Sequence, residues 1–363
     1  MRARIVIFIL FCLLLLAGCG GGQTGIQVDT LKVTGTQPLT FTSKDSLILS
    51  PDGSRIAALV DNKIGIYTIT GTRQADSAEI SADINGLAWS ADSQKVAFTE
   101  EFLRYFIESD LYVLQSDGNQ QTLTPDDTEG NAIKAGSIDQ ADVHPVWYNL
   151  DGQIAFLRFS NKNDAKGSTI SLLSIPSNGG EAVELAAWEA EQTDIYILDS
   201  SKAGWLLYGR GKQLYRFDPA SKQSSLLFDN DRQDQYVAAA RISADGNYLM
   251  LWITNGTYLM PYFLATDGKG ELIPLSADPK KLRANAAGWA PDGSAFAFAG
   301  IDSQNNQQGL FLVQQPGATP KLVQSGHYTS VYNRLPWIDW AANNSLLLLD
   351  SGSFTPLLIQ LGQ

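Results

Sequence analysis

The segment Trp289-Ala290-Pro291-Asp292-Gly293-Ser294-Ala295-Phe296-Ala297-Phe298 decides the fold. Pro pre-sets φ, Asp hydrogen-bonds to its own backbone, and Gly accepts the positive φ that a tight reversal needs. An apolar run ending in Trp enters this turn and a second apolar run leaves it. Two antiparallel strands with apolar residues on both faces are therefore expected, because each must be covered on both sides.

The same unit recurs along the chain. Ser50-Pro51-Asp52-Gly53 precedes Ile56-Ala57-Ala58-Leu59-Val60, and Trp89-Ser90-Ala91-Asp92-Ser93 precedes Val96-Ala97-Phe98. Trp147-Tyr148-Asn149-Leu150-Asp151-Gly152 precedes Ile154-Ala155-Phe156, and Ile242-Ser243-Ala244-Asp245-Gly246 precedes Tyr248-Leu249-Met250-Leu251. Two degenerate copies are Leu198-Asp199-Ser200-Ser201 before Trp205-Leu206-Leu207, and Trp340-Ala341-Ala342-Asn343-Asn344 before Leu346-Leu347-Leu348. A spacing of about 40 to 60 residues is the period of propeller blades. Third strands follow at Leu111-Tyr112-Val113-Leu114 and Gly309-Leu310-Phe311-Leu312-Val313, and a weaker fourth at Gln121-Thr122-Leu123.

These units resemble the TolB-type propeller repeat, with its Trp-Ser-Pro-Asp-Gly turn and Ile-Ala-Phe-like strand. The resemblance is to the repeat and not to that protein's function; no α/β domain fits in the short stretch before the first turn. The expected fold is all-β: a single β-propeller of seven four-stranded blades, with six as the alternative. The last unit lacks a fourth strand after Leu357-Leu358-Ile359-Gln360-Leu361. The segment from Ile26 to Val33 reads as the missing strand, which closes the ring and removes a free edge. Trp89, Trp147, Trp289 and Trp340 recur at one place in the repeat and read as packing between blades.

The start of the chain has a different character. Arg2 and Arg4 precede an unbroken apolar run from Ile5 to Leu16. That run is short for a bilayer span, which takes about 20 residues, and fits a secretory leader. Leu16-Ala17-Gly18-Cys19 resembles the bacterial lipobox. That resemblance implies cleavage before Cys19, acylation of its sulfur, and an envelope location. Gly20, where an Asp would imply inner-membrane retention, favours the outer membrane of a two-membrane bacterium, and otherwise the outer face of the cytoplasmic membrane. The implied organisation is a signal peptide over 1–18, a Gly-rich tether over 19–25 and a propeller over 26–363. More than one acyl chain holds a protein stably at a bilayer. The only cysteines are Cys12 and Cys19, so the folded part has no thiol for a disulfide, metal or nucleophile.

The formal net charge is −12, and removing Arg2 and Arg4 makes it −14. With no basic stripe, nucleic acid is excluded as a partner. Two histidines, His144 and His327, exclude a three-His zinc site. H-E-x-x-H, G-x-S-x-G and the phosphate-loop pattern are absent, and no hydrolase-like segment follows the last unit. Gly20-Gly21-Gly22-Gln23-Thr24-Gly25 satisfies G-x-G-x-x-G but lacks the flanking strand and helix that a dinucleotide fingerprint needs. The acidic turns 126–129 and 229–234 lack the Gly and Glu of a calcium loop. No enzyme, cofactor or metal is expected.

Function is then expected in the loops joining second to third strands and linking blades: residues 100–109, 125–144, 160–167, 229–236, 300–308 and 324–336. Within them, Arg104, Tyr105, Tyr328, Tyr332 and Arg334 are residue types that anchor interfaces. His144 and Trp337 stand just before innermost strands, where they can reach a channel mouth. The expectation is a monomeric, non-catalytic envelope lipoprotein that binds another envelope protein or a peptide. A carbohydrate or small ligand is the alternative, and a hydrolase or lyase using loop carboxylates the third.

Overall fold

The repeat folds as seven antiparallel sheets arranged in sequence order. The computed structural model describes residues 25–39, 46–80, 84–100, 109–125, 140–148, 152–161, 168–189, 195–231, 235–255, 259–269, 271–275, 281–330, 336–353 and 355–363. Six sheets have four consecutive strands, giving blade 1 (residues 47–76), blade 2 (84–122), blade 3 (140–189), blade 4 (195–229), blade 5 (236–274) and blade 6 (282–325). In each, the first strand lies innermost and the fourth outermost.

Blade 7 is built from both ends of the chain. Lys32–Pro38 pairs antiparallel with Thr355–Gly362, running from Lys32 opposite Gly362 to Pro38 opposite Leu357. Its inner strand is split into Tyr328–Thr329 and Asp339–Trp340, both paired with Ser345–Asp350. The ring is thus closed by the N-terminal strand, as expected, but that strand begins later than the sequence suggested. Val28–Thr30 form a single 3-10 turn, and only from Lys32 onward does the chain join the sheet.

The core is layered between blades, one apolar layer for each junction. Ile56 packs toward blade 7 with Leu347 and Leu358, whereas its neighbour Ala57 packs toward blade 2 with Trp89 and Phe98. Ala97 and Phe98 divide likewise between blades 3 and 1, as do Phe296 and Ala297 between blades 5 and 7. This explains the unbroken apolar second strands: both faces of every sheet are interior. Full burial of a Phe stabilises by roughly 1.5–3 kcal/mol, and Phe98, Phe156, Phe296 and Phe298 are fully buried.

Turn chemistry repeats with the strands. Ser50 Oγ donates to Asp52 Oδ1 (2.7 Å) and accepts Arg55 N (2.9 Å), while Ser54 N donates to Asp52 Oδ1 (2.9 Å). Ser90, Asp92, Gln94 and Lys95 repeat this pattern, as do Ser243, Asp245, Asn247 and Tyr248. Gly53 and Gly246 supply φ of +73° and +75°, and Ser93 takes +59° at the equivalent place. These carboxylates, held by N–H and O–H donors that outweigh partial burial, have pKa values below the usual range at Asp52 and Asp92.

The two ends of the ring now have names. First-to-second and third-to-fourth connections share the turn face; second-to-third connections and blade linkers share the loop face. The loop at 300–308 is shorter than expected, because Phe296–Asp302 and Gln307–Val313 continue through it and leave only residues 303–306.

Candidate functional site

A backbone-level clasp joins each blade to the next near the turn end of the innermost strands. Trp89 Nε1 donates to Ile48 O (3.1 Å), Trp147 Nε1 to Ala88 O (2.9 Å) and Trp289 Nε1 to Arg241 O (3.4 Å). Where the position holds no Trp, the preceding blade offers an Asp instead. Ile242 N donates to Asp199 Oδ2 (2.8 Å), and Leu49 N to Asp339 Oδ2 (2.8 Å). Ser200 Oγ donates to Trp147 O (2.6 Å), and Ile338 N to Ala287 O (2.9 Å). Three of the four recurrent Trp are therefore girdle donors; Trp340 Nε1 instead donates to Asn344 Oδ1 (3.4 Å) within its own turn.

At this end Arg241 of blade 5 reaches Asp339 of blade 7 (Nη1–Oδ1 3.4 Å), and its guanidinium lies 4.7 Å over the Trp337 ring. The equivalent position of blade 6, between them, is Gly288, whose backbone abuts Ile338. Burial raises the pKa of Asp199, opposed by the N–H groups of Ile242 and Ser200 and by the Arg241 charge.

Toward the loop face, each innermost strand of blades 2 to 6 carries a β-bulge, between Ile84 and Gly86, Val143 and Val146, Tyr196 and Leu198, Val237 and Ala239, and Ala284 and Ala286. Flanking residues Val143, Val237, Ala239, Ala284 and Ala286 are buried, yet His144, Ala238 and Asn285 within the bulges keep open surface. His144 has a φ of +55°, uncommon for a non-glycine residue, at the point where the bulge shifts the register. Burial lowers its pKa, so the imidazole is neutral at pH 7.

Between blades 2 and 3 the loop end carries charge. Asp142 is held bidentately by Arg158 (Oδ1–Nε 2.7 Å, Oδ2–Nη2 2.7 Å). Asp110 is pushed up to about 6, by burial first, then by the Asp142 and Glu100 charges. Ser109 Oγ ties this edge together by donating to Asp142 O (2.8 Å).

The sequence candidates separate in space. His144 lies inside its strand at the bulge rather than before it. Tyr328 is buried in the layer between blades 6 and 7, with its hydroxyl donating to Ser325 O (3.1 Å). Trp337 is buried against Trp252 (6.4 Å between ring centroids), and its backbone bridges to Ala287. The two rings thus pack between blades and do not line an open face. Cys19, Arg104, Tyr105, Tyr332 and Arg334 lie outside the described residues, as does the acidic run 126–129. Among the described residues no group of three or more His, Cys, Asp and Glu is placed to hold a metal ion.

The structure adds two residues that sequence reading did not single out. Tyr236 and Leu259 are 53% and 37% exposed. Tyr236 pairs with Thr254, which pairs with Leu259, so they flank one cross-strand row at the loop end of blade 5. Their signal was position: each is the first, apolar residue of a strand leaving that face.

A solved β-propeller domain of Cps50 (Swd1) from Myceliophteria thermophila has the same architecture. The TM-score is 0.55 at 11% identity, over 89% of this chain and 99% of that one. The fold is a seven-bladed β-propeller of antiparallel sheets. At that identity the likeness concerns the fold alone. No family model matches the sequence, and no curated protein does.

Proposed function

We propose that this propeller is a non-catalytic binding module of the bacterial cell envelope, lipidated at Cys19, which takes a protein or peptide partner on its loop face. The observation that carries the reading is the placement of Tyr236 and Leu259. Both keep open surface on one cross-strand row of the loop end, and aromatic residues anchor interfaces. On the described inner strands, by contrast, Asp199, Arg241 and Asp339 are engaged in holding blades together, and Asp142 is paired with Arg158 of its own blade. The lipobox-like Leu16-Ala17-Gly18-Cys19 supports the envelope assignment.

The test is photo-crosslinking in the native cell, with p-benzoylphenylalanine replacing Leu259 on the loop face or Leu226, also exposed, on the outer strand of blade 4. A discrete adduct from position 259 and none from 226 is the expected result. Adducts from 226 alone would overturn the assignment of the face.

A second reading, a small polar ligand at the inner strands, is favoured by Asn285, which is exposed within its bulge.

A further inference from the structure

The chain enters the propeller through a strap on the turn face of blade 6. Ile26 N donates to Asp292 Oδ2 (2.9 Å) in the Pro-Asp-Gly turn. Gln314 clamps the next residues, accepting Val28 N (3.0 Å) and donating to Ile26 O (2.7 Å). Lys321 Nζ then donates to three carbonyls of the same turn, Val28 O (3.1 Å), Asp29 O (2.8 Å) and Leu31 O (2.7 Å). Val28 and Leu31 are 3% exposed and packed into the layer between blades 6 and 7. Gly25 lies so close to Ser294 that a Cβ there would be 2.7 Å from the serine Cβ. The strap therefore runs outward across the turn face, from the inner turn of blade 6 to the rim, before Lys32 starts the closing strand.

From this path we infer that the propeller presents its turn face to the lipid surface and its loop face away from it. The inference rests on the proposed acylation of Cys19. Six steps separate Cys19 from Gly25, a reach of at most about 21 Å at roughly 3.5 Å per residue. To lay the loop face on the bilayer, the tether must first cross from the inner turn to the rim, about 14 Å over three strand spacings. It must then climb the blade, about 24 Å for a seven-residue strand. That path of about 38 Å exceeds the reach. Were the strap released, seven further residues would add about 24 Å, and the tether would start at the rim; the loop face could then touch lipid. Carboxylates of Asp52, Asp92, Asp218, Asp267 and Asp292 share the turn face with Arg55, Lys95, Lys202, Lys222 and Lys269, so the face carries no charge of one sign to draw it to a bilayer. The strap and tether, not adhesion, set the orientation.

The experiment uses the full chain, lipidated in a bacterial host and reconstituted into vesicles containing headgroup-nitroxide lipid. A fluorophore is attached at Ala220→Cys, exposed in a turn-face connection of blade 4, or at Ser303→Cys, exposed in the loop-face connection of blade 6. Expected is quenching at 220 at least about threefold stronger than at 303, with the contrast lost in Lys321→Met, which removes the donor to all three strap carbonyls. The circular dichroism spectrum of Lys321→Met reports that the blades remain folded. Equal or stronger quenching at 303 in lipidated protein overturns the orientation and leaves the lipoprotein reading intact. A Cys19 found without lipid by mass spectrometry overturns both.

Discussion

Arg241 and Asp339 meet at 3.4 Å although blade 6 lies between the blades that carry them. The intervening position of blade 6 is Gly288, which carries no side chain and packs against Ile338. Asp339 has a second task, accepting Leu49 N at 2.8 Å across the junction where the ring closes. The buried amide has more to lose than the half-open guanidinium. An unpaired buried donor costs about 1–3 kcal/mol, whereas an ion pair reaching water contributes about 0–1 kcal/mol. Asp339→Ala is therefore expected to lower the melting temperature more than Arg241→Met, which keeps an apolar stem over Trp337. Calorimetry of the two variants decides it; a larger loss for Arg241→Met would show that the charge pair dominates.

Gly288 itself cannot be enlarged. A Cβ there would stand 1.9 Å from Ile338 O, a backbone atom with no room to retreat. Gly288→Ala is expected to push blades 6 and 7 apart and cost at least about 2 kcal/mol, in the upper range of single substitutions. Gly118→Ala, where nothing lies within 4 Å of the added methyl, is the matched comparison. Its own penalty comes only from its φ of +92°. Urea midpoints for the two variants that coincide would contradict the close approach.

The Trp clasps should be separable from Trp packing. Trp147→Phe keeps an aromatic ring but deletes the 2.9 Å bond from Nε1 to Ala88 O. A loss of about 1–2 kcal/mol is expected from the orphaned carbonyl and missing ring atoms. Trp340→Phe should cost less, because its Nε1 donates at 3.4 Å to a side chain within its own turn. Chemical denaturation of both variants orders them.

Asp110 makes stability depend on mildly acidic pH. Its pKa of about 6 in the fold exceeds the ordinary 3.8, so the native state binds the proton more tightly. That contribution is complete below about pH 4 and is lost as pH rises toward 6 and above. Because the group is partly open to solvent, screening limits the effect to about 1–2 kcal/mol rather than the full shift. Asp110→Asn should flatten the stability profile between pH 4 and 6.5. An unchanged slope in that window would place the titration elsewhere.

Much of this architecture was written locally. Apolar second strands such as Ile154-Ala155-Phe156 have no exposed face, so stacking of sheets followed from the pattern alone. The strap at 26–31 was misread as strand, because Ile26 and Val28 alternate correctly. What overrides the alternation is distant: Gln314 and Lys321 take up the carbonyls that a neighbouring strand would have used. Tyr328 and Trp337 looked like ligand-facing aromatics for a related reason. The burial of Trp337 is decided by Arg241, Trp252 and Ala287, none of which is near it in sequence, and that of Tyr328 by strands of blades 6 and 7 such as Leu310 and Leu348. Tyr236 and Leu259 carry the opposite lesson, since a strand-initial apolar residue looks like core until the sheet ends beneath it.

The account as a whole depends on an envelope propeller held by lipid on one sulfur. Intact-mass and peptide mass spectrometry of the mature protein from a bacterial membrane fraction tests this most directly. The account predicts an N-terminal residue at Cys19 bearing a thioether-linked diacylglycerol, with residues 1–18 removed. An unmodified Cys19 still joined to Gly18 in the mature chain would contradict it.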